Sequence, residues 1–87
     1  MDQHVSMIRQ VLAEKLRVSE ELLEDNTTLE ELGVDSLTSA EIVIGVERRA
    51  GIRLELSEIG DYLARDTKLH ELIGAMVTML QQAAAPA

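Results

Sequence analysis

Toward the end of the chain Leu69, Leu72, Ile73, Met76, Val77 and Leu80 recur at intervals of three and four. That spacing lays one apolar stripe along an α-helix and does not fit the two-residue alternation of a half-buried strand. The same period runs through Val5, Ile8, Val11, Leu12 and Leu16 and predicts a first helix of about four turns. Thr67, following Asp66, is the expected N-cap of the last helix. Ahead of it, Ser57 is placed to cap a short helix carrying Ile59, Tyr62 and Leu63, which Gly60 weakens by about 1 kcal/mol relative to alanine. No segment shows convincing strand alternation. With 87 residues the chain has material for one domain and one thin core. Tyr62 is the single aromatic residue, so that core must be built from Leu, Ile, Val, Met and Ala. Such a core has few fixed shapes, and methionine adds softness.

Val18 to Val34 reads as a long connection. Asp25-Asn26-Thr27-Thr28 is turn chemistry, and Thr28-Leu29-Glu30-Glu31 has the spacing of a capping box, so one helical turn is expected inside the loop. Gly33 ends that turn, and Leu22, Leu23, Leu29 and Leu32 are expected to pin the loop to the bundle. A loop this long with its own apolar anchors crosses a bundle rather than forming a tight hairpin. The expected fold is all-α: a small four-helix bundle of three main helices and a short third helix, with a long loop between helices 1 and 2. The expected domain spans residues 1–82, followed by a flexible Ala/Pro tail at 83–87.

The formal net charge is -8. Such a chain repels nucleic-acid phosphates and anionic lipid and favours basic protein surfaces as partners, although acids also simply keep small domains soluble. Without cysteine there is no disulfide and no thiolate nucleophile. No apolar run approaches the roughly 20 residues of a membrane span. The start, MDQHVSMIRQ, has neither a basic opening nor an apolar block, so no secretory signal and a cytoplasmic location are expected. A monomer is expected. His4 and His70 fall in different helices, and the acids read as solvated faces, so no metal site is expected.

The second helix is the informative one. Asp35 is a strong N-cap, the helix runs from Ser36 to about Ala50, and Gly51 stops it. At about 100° per residue its apolar residues fall into two stripes. Ser39, Ile42, Val43, Val46 and Ala50 form one; Leu37, Ala40 and Ile44 form another, bordered by Ser36 and rimmed by Glu41, Glu47 and Arg48. A helix at the edge of a small bundle needs one stripe for the core. The second stripe reads either as a docking surface or as burial on a second side. Ser36 stands where free backbone N–H groups and the helix dipole favour a phosphate. Plain capping and phosphodiester attachment both remain open for it. Hydrolytic catalysis does not: no histidine is near in sequence, and Gly33-Val34-Asp35-Ser36-Leu37 lacks the second glycine of a nucleophile elbow.

The run Leu32-Gly33-Val34-Asp35-Ser36-Leu37, with Glu41-Ile42 and Glu47 after it, resembles the acyl carrier proteins of fatty acid and polyketide synthesis. The likeness covers nearly the whole chain, including the Thr28-Leu29 turn and the Asp66-Thr67 start of the last helix. It implies that Ser36 carries 4'-phosphopantetheine, taken from coenzyme A, whose thiol holds acyl groups as thioesters. It implies that Asp35 caps the helix and helps the phosphopantetheinyl transferase, and that Leu37, Ala40, Glu41, Ile44, Glu47 and Arg48 form the face read by a ketosynthase, acyltransferase or other acyl-processing enzyme. Such a carrier has no catalytic residue of its own. Bacterial fatty-acid carriers usually continue with acids and then an aromatic residue; here Glu47 is followed by Arg48-Arg49-Ala50, and Thr38 stands where an acid is common. Asp35 to Glu41, with Arg48 and Gly51-Ile52-Arg53-Leu54, looks more like the carriers of polyketide synthases. Beginning with Met, the chain resembles a freestanding carrier, with an excised domain as the alternative. Ala50 replaces a bulky ring, which leaves either a yielding core of Ile42, Val46, Leu63, Ile73 and Met76 around an acyl guest or a gap filled by neighbouring aliphatics. The alternatives in function are an interaction protein on the carrier fold without acyl turnover, and a peptidyl carrier, against which Val34 counts because two glycines more often precede Asp-Ser there.

Overall fold

In the computed structural model residues 3–84 are described, and they are all-helical. Helix α1 spans Gln3–Leu16, α2 Ser36–Ala50, α3 the single turn Leu56–Ile59, and α4 Leu69–Ala84. The expected stripes form the core. Ile8, Val11 and Leu12 of α1, Ile42, Val43 and Val46 of α2, and Leu69, Leu72, Ile73, Met76 and Leu80 of α4 are buried together. Leu23 and Leu29 of the long loop, and Leu54 and Ile59 around α3, complete it. Helices α1 and α2 approach closely at Gly45 of α2, where an added Cβ would lie 2.8 Å from Val11 Cγ1 and 3.2 Å from Lys15 Cε.

Helix α1 ends without a glycine. Arg17 takes the left-handed conformation (φ 58°), and the Val18 amide donates to the Ala13 carbonyl. The long loop then makes a 3₁₀ turn at Glu20–Leu22, which the sequence did not announce. Leu23 and Leu29 anchor the loop as expected and Leu32 is half-buried, but Leu22 points outward, 64 % exposed. Leu22 ends the 3₁₀ turn and Leu23 is the extended residue after it (φ -86°, ψ 94°); only Leu23 reaches the core. Arg9 of α1 holds this part of the loop, donating to the carbonyls of Glu20 (3.1 Å) and Leu23 (2.7 Å). The capping box forms without an α-helix to cap. The amide and hydroxyl of Thr28 donate to Glu31 Oε1, the Glu31 amide donates to Thr28 Oγ1, and Gly33 (φ 77°) closes the turn.

Two expected caps move. Helix α3 starts at Leu56, with Glu55 in the N-cap position, so Ser57 lies inside its first turn and caps nothing. At Gly60 the backbone tightens into a 3₁₀ turn, Gly60–Leu63, in keeping with glycine's weak hold on a helix. Thr67 is buried and does not cap α4. The first turn of α4 is closed on the Lys68 carbonyl, and Glu71 Oε1 accepts from the Lys68 amide at 2.9 Å. The next amides are capped by the long loop: Leu69 donates to the Thr27 carbonyl (2.8 Å) and His70 to that of Asp25 (3.0 Å). At the far end α4 includes Ala83 and Ala84, because alanine is the best helix former, so the boundary expected at 82 is not a break in secondary structure. The rest of the expected tail, Ala85-Pro86-Ala87, and the opening Met1-Asp2 lie outside the described residues.

Candidate functional site

Helix α2 begins at Ser36 because Asp35 stops the chain from entering the helix earlier. Asp35 is extended (φ -108°, ψ -173°), and its Oδ1 accepts from the Thr38 amide at 2.8 Å. The Ser39 amide donates to the Asp35 carbonyl at 2.8 Å. The Thr38 amide, and then its hydroxyl, hold the Asp35 carboxyl below the usual carboxylate range, against a small opposing effect of burial. Glu31 is lowered in the same way by the amide and then the hydroxyl of Thr28. Ser36 is exposed on the first turn.

Beside Ser36 opens a cleft of about 640 Å³ lined by Glu30, Gly33, Val34, Asp35, Ser39, Leu63 and Arg65. Two loops distant in sequence make its walls. The Leu29 amide donates to the Thr67 carbonyl (2.9 Å) and the Glu30 amide to that of Arg65 (3.0 Å), while Thr28 and Lys68 form an isolated antiparallel bridge. No histidine lines the cleft, so Ser36 has no imidazole base there. The residues present fit a phosphopantetheine arm: the Ser36 side chain is exposed at a helix N-terminus, and Arg65 lines the same cleft.

The second stripe of α2 faces solvent. Leu37 is 70 % and Ile44 47 % exposed, and Ala40, Glu41 and Arg48 are exposed with them. Next to this stripe a groove of about 370 Å³ runs between α2 and the segment entering α3, with Ala40, Val43, Ile44, Leu54 and Leu56 along it. Leu56, at the start of α3, is 66 % exposed and widens the apolar surface beyond what the α2 periodicity alone indicates. Glu47 is only half-exposed. Its Oε2 accepts from the Leu54 amide at 2.8 Å and fastens the α2–α3 segment. The two arginines after it differ: Arg48 is exposed on the rim, while Arg49 bonds Glu14 and Gln10 of α1. Under the site, Ile42, Val46 and Met76 have no exposed surface, Ile73 is buried, and Leu63 is half-buried where it lines the Ser36 cleft. Among the described residues no cluster of His, Asp and Glu could hold a metal ion, and no helix is long and apolar enough to cross a membrane.

The family profile "phosphopantetheine attachment site" matches residues 6–75, a span that contains the cleft and the whole of α2. Two curated proteins are similar over much of the chain. One is a non-reducing polyketide synthase, ausA, of Aspergillus calidoustus, 37% identical over 60 residues, which are 69% of this chain and 2% of the synthase. The other is an acyl carrier protein of Saccharopolyspora erythraea, 42% identical over 53 residues, which are 60% of this chain and 56% of that protein. The aligned stretch thus spans a small piece of the synthase and little more than half of the carrier.

Proposed function

The chain belongs to the phosphopantetheine-binding carrier family, and on that premise we propose that Ser36 bears the 4'-phosphopantetheine arm and that the protein delivers acyl intermediates, as thioesters, to polyketide or specialised fatty acid enzymes. The observation that carries this reading is the placement of Ser36: exposed, first in α2, held there by the Asp35 cap, at the mouth of the cleft. Two similar proteins, a polyketide synthase and an acyl carrier protein, support the acyl and polyketide parts of the reading.

When bound, the group supplies a flexible thiol for acyl attachment. The chain's own residues do the rest. In loading, the Ser36 oxygen forms a new bond to the phosphorus of coenzyme A that bears the pantetheine. Adenosine 3',5'-bisphosphate leaves, and the hydroxyl proton passes to a base on the transferase. Asp35 keeps the first turn of α2 wound so that the hydroxyl is presented in one orientation. Leu37, Ala40 and Ile44, rimmed by Glu41, Glu47 and Arg48, form the face a ketosynthase or acyltransferase meets, with Leu56 extending it. Protein surfaces that mix apolar patches with a charged rim are suited to transient docking.

The test is the intact mass of the chain after incubation with coenzyme A and a broad-specificity phosphopantetheinyl transferase, beside Ser36→Ala. One added phosphopantetheine on the native chain and none on the variant is the expected result. A folded, helical native chain that gains nothing would leave Ser36 as a cap only.

A further inference from the structure

We propose that Arg65 is a positioning residue for the arm, its guanidinium pairing with the phosphodiester formed at Ser36; this rests on Ser36 as the attachment point. Among the residues lining the cleft Arg65 is the one cation, and it shares the lining with two carboxylates, Glu30 and Asp35. Its side chain has no hydrogen-bond or ion-pair partner among the described residues, in contrast to Arg9 and Arg49, which are committed to the loop and to α1.

The helix end alone is a poor seat for the added charge. Of the amides that a helix start leaves free, that of Thr38 is already engaged by the Asp35 carboxylate. A phosphodiester at Ser36 therefore meets an N-terminus already holding one anion, and Glu30 lines the same cleft. Like charges sharing one cleft disfavour one another, and a guanidinium with five N–H donors is the group in the lining suited to offset them. Its backbone is fixed for the purpose. The Glu30 amide donates to the Arg65 carbonyl at 3.0 Å, and the Leu29-to-Thr67 bond beside it makes a two-point tie between the walls. The Arg65 backbone is thus held at the cleft that Ser36 also lines, independently of the partner enzyme, and the pairing would bias the arm to leave α2 toward the 64–67 loop.

The experiment records the arginine Nε–Hε signals of the full chain by NMR before and after loading, with Arg65→Gln and, as a control away from the cleft, Arg17→Gln. Intact mass is measured first. Failure of the native chain to load would refute the Ser36 reading, and it is told apart from failure of the Arg65 pairing, which is read only on loaded protein. In loaded native protein the Arg65 Nε–Hε signal is expected to shift and that of Arg17 to stay. The ³¹P signal is expected to move toward that of loaded Arg65→Gln when salt rises from about 0.01 M to about 1 M, which shortens the Debye length from about 30 Å to about 3 Å. In Arg65→Gln the ³¹P signal is expected to be nearly indifferent to salt. An Arg65 signal unmoved by loading overturns the proposal, as does a ³¹P signal identical in native and Arg65→Gln chains. If Arg65→Gln does not load, the native comparison alone decides.

Discussion

Glu47 falls by helical spacing on the proposed docking face, yet its carboxylate holds the Leu54 amide at 2.8 Å. A hydrogen bond to a charged group contributes about 1.5–3 kcal/mol, and the half-exposed position of Glu47 puts this one at the lower end. Glu47→Ala should therefore cost about 1.5 kcal/mol, or roughly 6–12 °C in Tm for a chain of this size. Glu47→Gln keeps a carbonyl acceptor and should lose only about half of that, the difference between a charged and a neutral bond. The assay is thermal and urea unfolding followed by circular dichroism, with hydrogen exchange at Leu54. A loss near 1.4 kcal/mol corresponds to about tenfold faster exchange. If the carboxylate acts by fastening the groove, acyl transfer to a partner enzyme follows stability, and Glu47→Gln stays near the native rate. If the partner reads its charge, Gln and Ala slow transfer alike. Unchanged Tm and unchanged Leu54 exchange in Glu47→Ala would refute the structural role.

Three further outcomes are expected. Gly45→Ala gains about 0.5–1 kcal/mol of helix propensity but drives a Cβ to 2.8 Å from the buried, stiff Val11, an overpacking cost of about 1–3 kcal/mol; net destabilisation is expected in urea unfolding, and a gain in stability would show that the α1–α2 approach is looser. Ile44→Glu, at an exposed position, should leave folding and loading intact and slow acyl transfer about tenfold, the effect of losing one modest interface anchor; an unchanged transfer rate would rule out that face. Asp35 and Glu31 both bind protons more weakly in the folded chain than in the unfolded one. Their contribution is therefore complete above the unfolded carboxylate range near about pH 4 and is lost as pH falls through their lower folded values. Asp35→Asn with Glu31→Gln should flatten the acid limb of a stability-against-pH curve, and a limb as steep as the native one would contradict this.

Most of the architecture was legible because it rests on local signals. The apolar spacing of α1 and α4, the Asp35 cap, the Gly51 stop (φ 68°) and the Thr28–Glu31 box each need only a few neighbouring residues. The errors fall where a distant partner overrides a local preference. Thr67 has the chemistry of a cap, but its carbonyl is taken by Leu29 and its side chain by the core, so the helix starts after it. Ser57 yields to Glu55 because the Leu54 amide, held by Glu47, sets where the chain turns into α3. At the candidate site the helix side was readable and the opposite wall was not. Arg65 reaches the cleft that Ser36 lines only through loop-to-loop backbone pairing, which leaves no periodic trace in the sequence. Arg49 has the sequence context of a surface charge beside Arg48, and one position of helical rotation turns it onto α1 instead.

The capping of α4 by the carbonyls of Asp25 and Thr27 ties its first turn to a segment more than forty positions earlier. Release of the loop strips that turn of its caps, and a fraying α4 start withdraws the loop's donor partners. The two are therefore expected to open as one cooperative unit, smaller than the whole domain, with joint hydrogen exchange of the Leu69 and His70 amides as the measurement that checks it. The Ser36 cleft borders this unit without being built from it: Glu30 and Arg65 of its lining flank the tied segments, while Ser36 itself sits on a separately capped helix.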